Sequence, residues 1–124
     1  MILLDRLIEK DPRFKLEAYL FINDSLVLAQ KRAGKKRHIT GLELLQAFRD
    51  LAIQRYGQMA NAVLNSWGLH TTDDIGAAVF NLVNAGLMSK TDSDRLTDFH
   101  AVFDFNQVFI QNYTIPDREP DQET

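Results

Sequence analysis

The sequence contains no cysteine and only three prolines among its 124 residues. The missing cysteines exclude disulfides, thiolate chemistry and cysteine zinc sites together, and they fit a reducing compartment. The apolar start at 1–4 is interrupted by Asp5 and Arg6, which argues against a signal peptide. No other apolar run has the length of a membrane span. We therefore expect no signal peptide, no membrane contact and a cytoplasmic location.

An excess of charge of either sign is also missing. A formal net charge of −3 provides no cationic field that would gather nucleic acid or anionic lipid. What is present is an ordinary globular composition, 45% hydrophobic and 25% charged, at the length of one domain. We expect a single helical domain over 1–116. The acidic tail 117–124 has no apolar residue, and this composition predicts disorder.

Apolar spacing predicts a mainly α fold, a compact bundle of five or six helices. Three- and four-residue spacing places a first helix over Leu3 to Ile8. A second helix is expected from Pro12 to Ala33, with Asp11 as its N-cap and Gly34 at its end. Its middle, residues 19–22, is apolar on every side, which predicts that this helix is buried all round at the centre of the fold.

Cap signals place the next two helices. Thr40 is the expected N-cap of the third helix, and Glu43 three residues later completes a capping box. Gly57 is expected to break that helix. The fourth helix is short, carries one apolar stripe and stops at Gly68. That stripe comprises Met59, Ala60, Val63, Leu64 and Trp67, and it predicts that Trp67 lies in the core.

The fifth helix has the clearest signals. Thr72 is the expected N-cap, Asp73 and Asp74 occupy the first turn, and Gly86 ends the helix. Its apolar stripe comprises Ile75, Ala78, Val79, Leu82 and Val83. Gly76 lies inside this helix, which predicts that a neighbouring element packs closely over a position without a side chain.

The pattern after the fifth helix leaves alternatives open. Residues 87–99 fit either a small β-hairpin or a loop. A final helix is expected near Asn106 to Tyr113, with Val108, Phe109 and Tyr113 facing inward. Helices four and five followed by a wing at 87–99 also fit a winged helix–turn–helix.

A helix–turn–helix of this kind would present carboxylates, not cations, to DNA. Asp73 and Asp74 stand at the entry turn of the would-be recognition helix, and no Lys or Arg follows within it. Phosphate contacts supply most of the affinity for duplex DNA, so we expect duplex DNA to bind poorly.

One basic stretch, 31–38, is the candidate contact surface for phosphates. Its cations are Lys31, Arg32, Lys35, Lys36 and Arg37. Two interpretations remain open: a grip on RNA, DNA or a ribosomal surface, or a helix C-terminus and loop whose cations are simply solvated.

Motifs for chemistry are not found in the sequence. It has no Gly-rich phosphate loop, no nucleophile elbow and no metalloprotease helix motif. His38, His70 and His100 lie on three separate segments, without metal-ligand spacing. We therefore expect no catalytic residue, metal or cofactor, although an enzyme with a site dispersed along the chain stays open.

The leading hypothesis is a non-catalytic helical module that binds another protein. The outward face of the fifth helix offers Asp73, Asp74 and Asn81 as candidate contact residues. The alternative is a protein associated with nucleic acid or the ribosome through the basic stretch. The sequence predicts neither the partner nor the oligomeric state.

Four stretches carry a resemblance to a known family: residues 11–19, His38 to Leu45, Tyr56 to Gly68, and Asp73 to Asp94. Together they resemble a family of short hypothetical, repeat-type proteins found mainly in planctomycetes and verrucomicrobia, to which no function is assigned. The resemblance implies a bacterial protein and brings no site residue to any position. The sequence itself contains no internal repeat.

Overall fold

A computed structural model of the protein describes residues 2–34, 39–88, 99–105 and 107–111. These residues are mainly helical, as predicted, and contain no strand. The helices are α1 (Ile2–Lys10), α2 (Leu16–Ala33), α3 (Gly41–Tyr56), α4 (Ala60–Ser66) and α5 (Thr72–Asn84). A 3₁₀ turn, Gly57–Met59, precedes α4, and a π-helical turn, Gln107–Gln111, follows α5. No described helix is long and apolar enough to cross a bilayer.

Helix α2 lies at the centre and packs against α1, α3 and α5. Its contact with α3 is the most extensive, and the Phe21 ring meets the Phe48 ring edge-on at 5.0 Å between centroids. Trp67, predicted to lie in the core, is half-buried against the rings of Phe21 and Tyr56. Aromatic pairs of this geometry add stability beyond the area they bury.

The prediction that α2 is buried on every side is wrong for one stripe. Tyr19, Phe21 and Ile22 are buried as expected, but Leu20 is 42% exposed and Val27 is 43% exposed. Residues seven apart lie on the same face of a helix, and the neighbours of α2 leave this face open. The helix is therefore central and still exposes one side.

The prediction that α2 begins at Pro12 with Asp11 as its N-cap is also wrong. The helix begins at Leu16, and its N-cap residue, Lys15, makes no side-chain cap. The Asp11 carboxylate accepts instead from the backbone N–H and the guanidinium of Arg13. Residues 11–14 form a turn that delivers Phe14 to the core, where it is fully buried.

The N-terminus of α5 is capped one residue earlier than predicted. Thr71, not Thr72, is the N-cap: its Oγ1 accepts from the Asp74 N–H at 3.1 Å, and the Asp74 carboxylate accepts from the Thr71 N–H at 3.2 Å. Thr72 is fully buried, and its Oγ1 accepts from the Val102 N–H at 3.0 Å. The capping box predicted at Thr40 and Glu43 is confirmed.

Two corners of the chain touch through the main chain at Gly68. The Lys15 N–H donates to the Trp67 carbonyl at 3.1 Å. Gly68 has a φ of +95°, and a Cβ built there would lie 1.9 Å from the Arg13 carbonyl oxygen. Only glycine satisfies both conditions. The turn that precedes α2 is thereby fixed to the end of α4.

The close packing predicted over Gly76 is present in the structure. A Cβ on Gly76 would lie 2.6 Å from the Cβ of Phe99, which is 1% exposed. The neighbouring group is therefore an aromatic side chain, from the segment of the chain that follows α5. Phe105 and Phe109 are buried in the same segment, so residues after α5 complete the core.

The segment predicted as a β-hairpin or loop lies mostly outside the described residues. Its described ends do not form a strand: Leu87 and Met88 lie in a bend, and Phe99 has 3₁₀ conformation. The predicted final helix is a short π-helical turn in which Phe109 is fully buried and Val108 is half-buried. Tyr113 lies outside the described residues.

Met59, predicted on the apolar stripe of the fourth helix, is 62% exposed because the 3₁₀ turn places it before α4.

Candidate binding clefts beside helix α5

A cleft of about 360 Å³ lies between α1 and the C-terminal end of α5. We name it the cationic cleft. Its walls are Arg6, Leu7, Lys10, Asp11, Arg13, Asn81, Asn84 and Ala85. Among the described residues, three cationic side chains and one carboxylate line this cleft, an excess of two positive charges.

A hydrogen-bond network joins three of the residues that line this cleft, Asp11, Arg13 and Asn81. Arg13 holds the Asp11 carboxylate bidentately, at 2.8 Å from Nε to Oδ1 and at 2.7 Å from Nη2 to Oδ2. The Asn81 amide donates to Asp11 Oδ2 at 2.8 Å and lies 3.2 Å from the Tyr19 hydroxyl oxygen. These bonds join the turn before α2 to α5, across 70 positions of sequence.

Hydrogen bonding and burial shift the pKa values of three groups in this network. The hydrogen bonds from Arg13, above all, hold the pKa of the Asp11 carboxyl well below its usual range. The same pair raises the pKa of Arg13. Burial raises the pKa of the Tyr19 hydroxyl. Asp11 is therefore charged and Tyr19 neutral at physiological pH, so the charge of Arg13 is neutralised locally.

Arg6 and Lys10 differ from Arg13 in this respect. They lie one turn apart on α1, both are exposed, and neither forms an ion pair within the part of the chain that the structure describes. The exposed Asn84 stands on the opposite wall. The cleft therefore combines two cations that no described carboxylate compensates with an amide, a donor set suited to an anion such as a carboxylate.

A second cleft, of about 530 Å³, lies at the other end of α5. We name it the histidine cleft, and it is lined by Asn61, Asn65, His70, Thr71, Asp73, Ala101, Asp104 and Phe105. The His70 ring bonds through Nδ1 to Asn65 Oδ1, and the Asp104 carboxylate accepts from the Gln107 N–H. His100, beside this cleft, lies 3.2 Å from Asp73. Several polar side chains of the histidine cleft are thus already engaged within the protein.

No group of three or more His, Asp or Glu side chains within the described ranges is arranged to hold a metal ion. His70 and His100 lie on separate segments in sequence, yet both reach the start of α5. The backbone N–H of His70 donates to Asp74 at 2.9 Å, and the His100 ring pairs with Asp73. His70 and His100 thus connect the segments that flank α5 to its first turn. His38 lies outside the described residues.

The predicted partner-binding face of α5 is divided by the structure. Asp74 accepts from two backbone N–H groups in the cap, and Asn81 is bonded to Asp11 and Tyr19. Asp73 lies about 100° around the helix from Asp74 and points toward His100. Two of the three residues therefore support the fold, and Asp73 has a half-exposed side chain.

The basic stretch is described only in part. Lys31 and Arg32 are exposed at the end of α2, and Arg32 pairs with Asp50 at 2.9 Å. Asp50 also holds Arg49 at 2.9 Å. Lys35, Lys36 and Arg37 lie outside the described residues. One of the five predicted phosphate contacts is thus engaged in an ion pair within the protein.

Sequence reasoning missed the cationic cleft. The four-residue spacing of Arg6 and Lys10 was visible, and so was the short spacing of Asp11 and Arg13. The opposite wall comes from α5, about 70 residues later, and no local signal connects the two walls.

Comparison with known proteins adds no family to this description. No family model matches the chain, and neither a curated protein nor a solved structure matches it. The resemblance drawn from the sequence therefore stays a prediction.

Proposed function

We propose that the protein is a non-catalytic helical interaction module of the bacterial cytoplasm that binds an acidic segment of a partner protein in the cationic cleft. The observation that carries the proposal is the pair Arg6 and Lys10. Both stand in an open cleft, and neither is ion-paired within the described residues.

The charge of the cleft is opposite to that of the whole chain. The chain carries −3, yet the cleft has two positive charges in excess. The C-terminal end of α5 adds a partial charge of about half an elementary negative charge, which leaves that excess largely intact. A local patch of opposite sign orients an approaching partner and selects carboxylate-bearing segments over neutral ones.

The geometry favours protein carboxylates over a nucleic-acid backbone. A phosphate backbone is gripped by a track of cations several contacts long, whereas this cleft offers two uncompensated cations one helical turn apart. Two acidic side chains spaced one turn apart match the spacing of Arg6 and Lys10.

The alternative, nucleic-acid or ribosome binding through Lys31 to Arg37, rests on the basic stretch alone. The Arg32–Asp50 pair counts against it, because it places a carboxylate among the cations that would contact phosphate.

Binding of a labelled peptide tests the proposal. The probe is a fluorescein-labelled peptide of ten glutamates, compared by anisotropy with a peptide of ten glutamines. Removing both uncompensated cations, in Arg6→Gln/Lys10→Gln, should weaken glutamate binding about tenfold, which corresponds to about 1.4 kcal/mol. A matched control, Lys15→Gln/Lys31→Gln, removes the same charge from exposed positions outside the cleft and should retain most of the affinity.

Duplex DNA and single-stranded RNA are included as competing probes. Equal loss in the two double variants would contradict the proposal, because binding would then follow net charge alone. Tighter binding of either nucleic acid than of the glutamate peptide at physiological salt would favour the alternative. Failure of the glutamate peptide to bind at low salt, where screening is weakest, would overturn the proposed function.

A further inference from the structure

We infer that the acidic tail of the chain, residues 117–124, occupies the cationic cleft and competes there with the partner. The inference rests on the proposed function and specifies how that same cleft is regulated. The tail lies outside the described residues, and its chemistry is fixed by its sequence.

The distribution of charge along the chain supports this inference. The tail holds Asp117, Glu119, Asp121 and Glu123 against the single cation Arg118, a net charge of −3. Residues 1–116 contain thirteen cationic and thirteen acidic side chains and are formally neutral. The whole net negative charge of the protein is therefore concentrated in eight residues.

The tail carries more than enough carboxylates to neutralise the positive charge of the cleft. The cleft has an excess of two positive charges, carried by Arg6 and Lys10, and the tail offers four carboxylates spaced two apart. In an extended chain, alternate side chains point the same way and lie about 7 Å apart. One pair of tail carboxylates can then meet Arg6 and Lys10, which are about 6 Å apart along α1.

The tail is long enough to reach the cleft. The described chain ends at Gln111, and the acidic residues follow 6 to 12 positions later. At about 3.3 Å per residue, an extended segment of that length spans about 20 to 40 Å. A domain of this size has a radius of gyration near 13 Å, so most of its surface lies within that span.

Attachment makes even a weak contact effective. A short tether holds its end at an effective concentration of about 1 mM, so a tail contact with a millimolar dissociation constant would fill the cleft about half of the time. An external acidic segment must then displace the tail, and its apparent affinity falls by the fraction of cleft that is occupied. The tail thereby sets a threshold that only a more acidic or better fitted partner exceeds.

Neutralising the tail without shortening it tests the inference. The full-length variant Asp117→Asn/Glu119→Gln/Asp121→Asn/Glu123→Gln should bind the ten-glutamate probe about two- to tenfold more tightly than the unmodified chain at low salt. The gain should shrink at physiological salt, because exposed charges are screened there. Without any probe, the amide NMR signals of Arg6, Lys10 and Asn84 should shift on neutralisation.

The same variants separate the inference from general repulsion and from the proposed function. In an Arg6→Gln/Lys10→Gln background, neutralising the tail should leave probe affinity unchanged. If affinity still rises there, the tail acts by long-range repulsion and the inference is overturned. Equal probe binding with and without tail charge overturns the inference and leaves the proposed function standing. A probe that binds neither form overturns the proposed function itself.

Discussion

At the scale of single residues, the fold depends on glycines placed where a second chain segment leaves no room. Gly76 is the clearer case, because its backbone is ordinary helix and its role is purely steric. The Phe99 side chain occupies the space that a Cβ would need. Alanine is the better helix former, so local propensity and tertiary packing oppose each other at this position.

We predict that Gly76→Ala destabilises the protein by roughly 1–2 kcal/mol, because the overpacking cost exceeds the gain of about 1 kcal/mol in helix propensity. The sign should reverse once the obstruction is removed. Alanine at position 99 would keep the obstructing Cβ, so the background is Phe99→Gly, which costs at least the roughly 3–5 kcal/mol of a Phe→Ala change; there Gly76→Ala should be neutral or stabilising. A double-mutant cycle by urea denaturation measures the coupling. Destabilisation of equal size in both backgrounds would show that Phe99 is not the obstruction.

At the scale of helices, side-chain capping boxes mark the start of α3 and of α5. Thr71 and Asp74 satisfy two backbone N–H groups reciprocally, and the Asp74 carboxylate also accepts from His70. The carboxylates of Asp73 and Asp74 lie at the positive end of the α5 dipole. The turn between α4 and α5 is therefore held by side chains from the helix that it introduces.

Replacing the cap separates Thr71 from its neighbour. Thr71→Ala should cost about 0.5–2 kcal/mol, and Thr71→Ser should cost less than about 0.5 kcal/mol, because serine keeps the accepting hydroxyl. Thermal melting of the three proteins checks the ranking. If alanine were tolerated as well as serine, the capping hydroxyl would contribute nothing to stability.

Two predicted caps, at Thr40 and at Asp11, show what the sequence determines and what it does not. The cap at Thr40 was predictable because both partners lie within four residues, so no other part of the chain is needed to recognise it. At Asp11 the local signal was equally good and failed, since Arg13 and Asn81 compete for the same carboxylate and Asn81 is distant in sequence.

The candidate site was hidden for the same physical reason. The mainly helical class, the apolar stripe of α5 and the close approach at Gly76 follow from periodicity and composition. The cationic cleft requires that Arg6 and Asn84 become neighbours, and nothing within a helical turn of either residue encodes that contact.

At the scale of the whole molecule, the core is completed by the aromatic segment after α5. Phe99, Phe105 and Phe109 are all buried, and the Phe105 and Phe109 rings meet edge-on at 5.1 Å. A bundle ending at α5 would leave Gly76 uncovered and the Thr72 hydroxyl without the Val102 N–H.

Two truncations should therefore differ sharply. Ending the chain after Pro116 should leave the melting temperature nearly unchanged, because the removed residues bring no apolar area. Ending it after residue 98 deletes three buried aromatic side chains, each worth about 3–5 kcal/mol, and should abolish cooperative unfolding. Melting followed by circular dichroism checks both. A large fall with the short truncation would show that the tail contributes to the folded core.

The contact between the two corners at Lys15 and Trp67 has a consequence for how freely the sequence can vary. The bond joins two backbone groups, so it survives any exchange of the exposed Lys15 side chain except for proline, which has no N–H to donate. The entire steric demand of that crossing falls on the neighbouring Gly68. The two sides of the contact therefore differ in mutational tolerance: position 15 accepts almost any side chain, and position 68 accepts none.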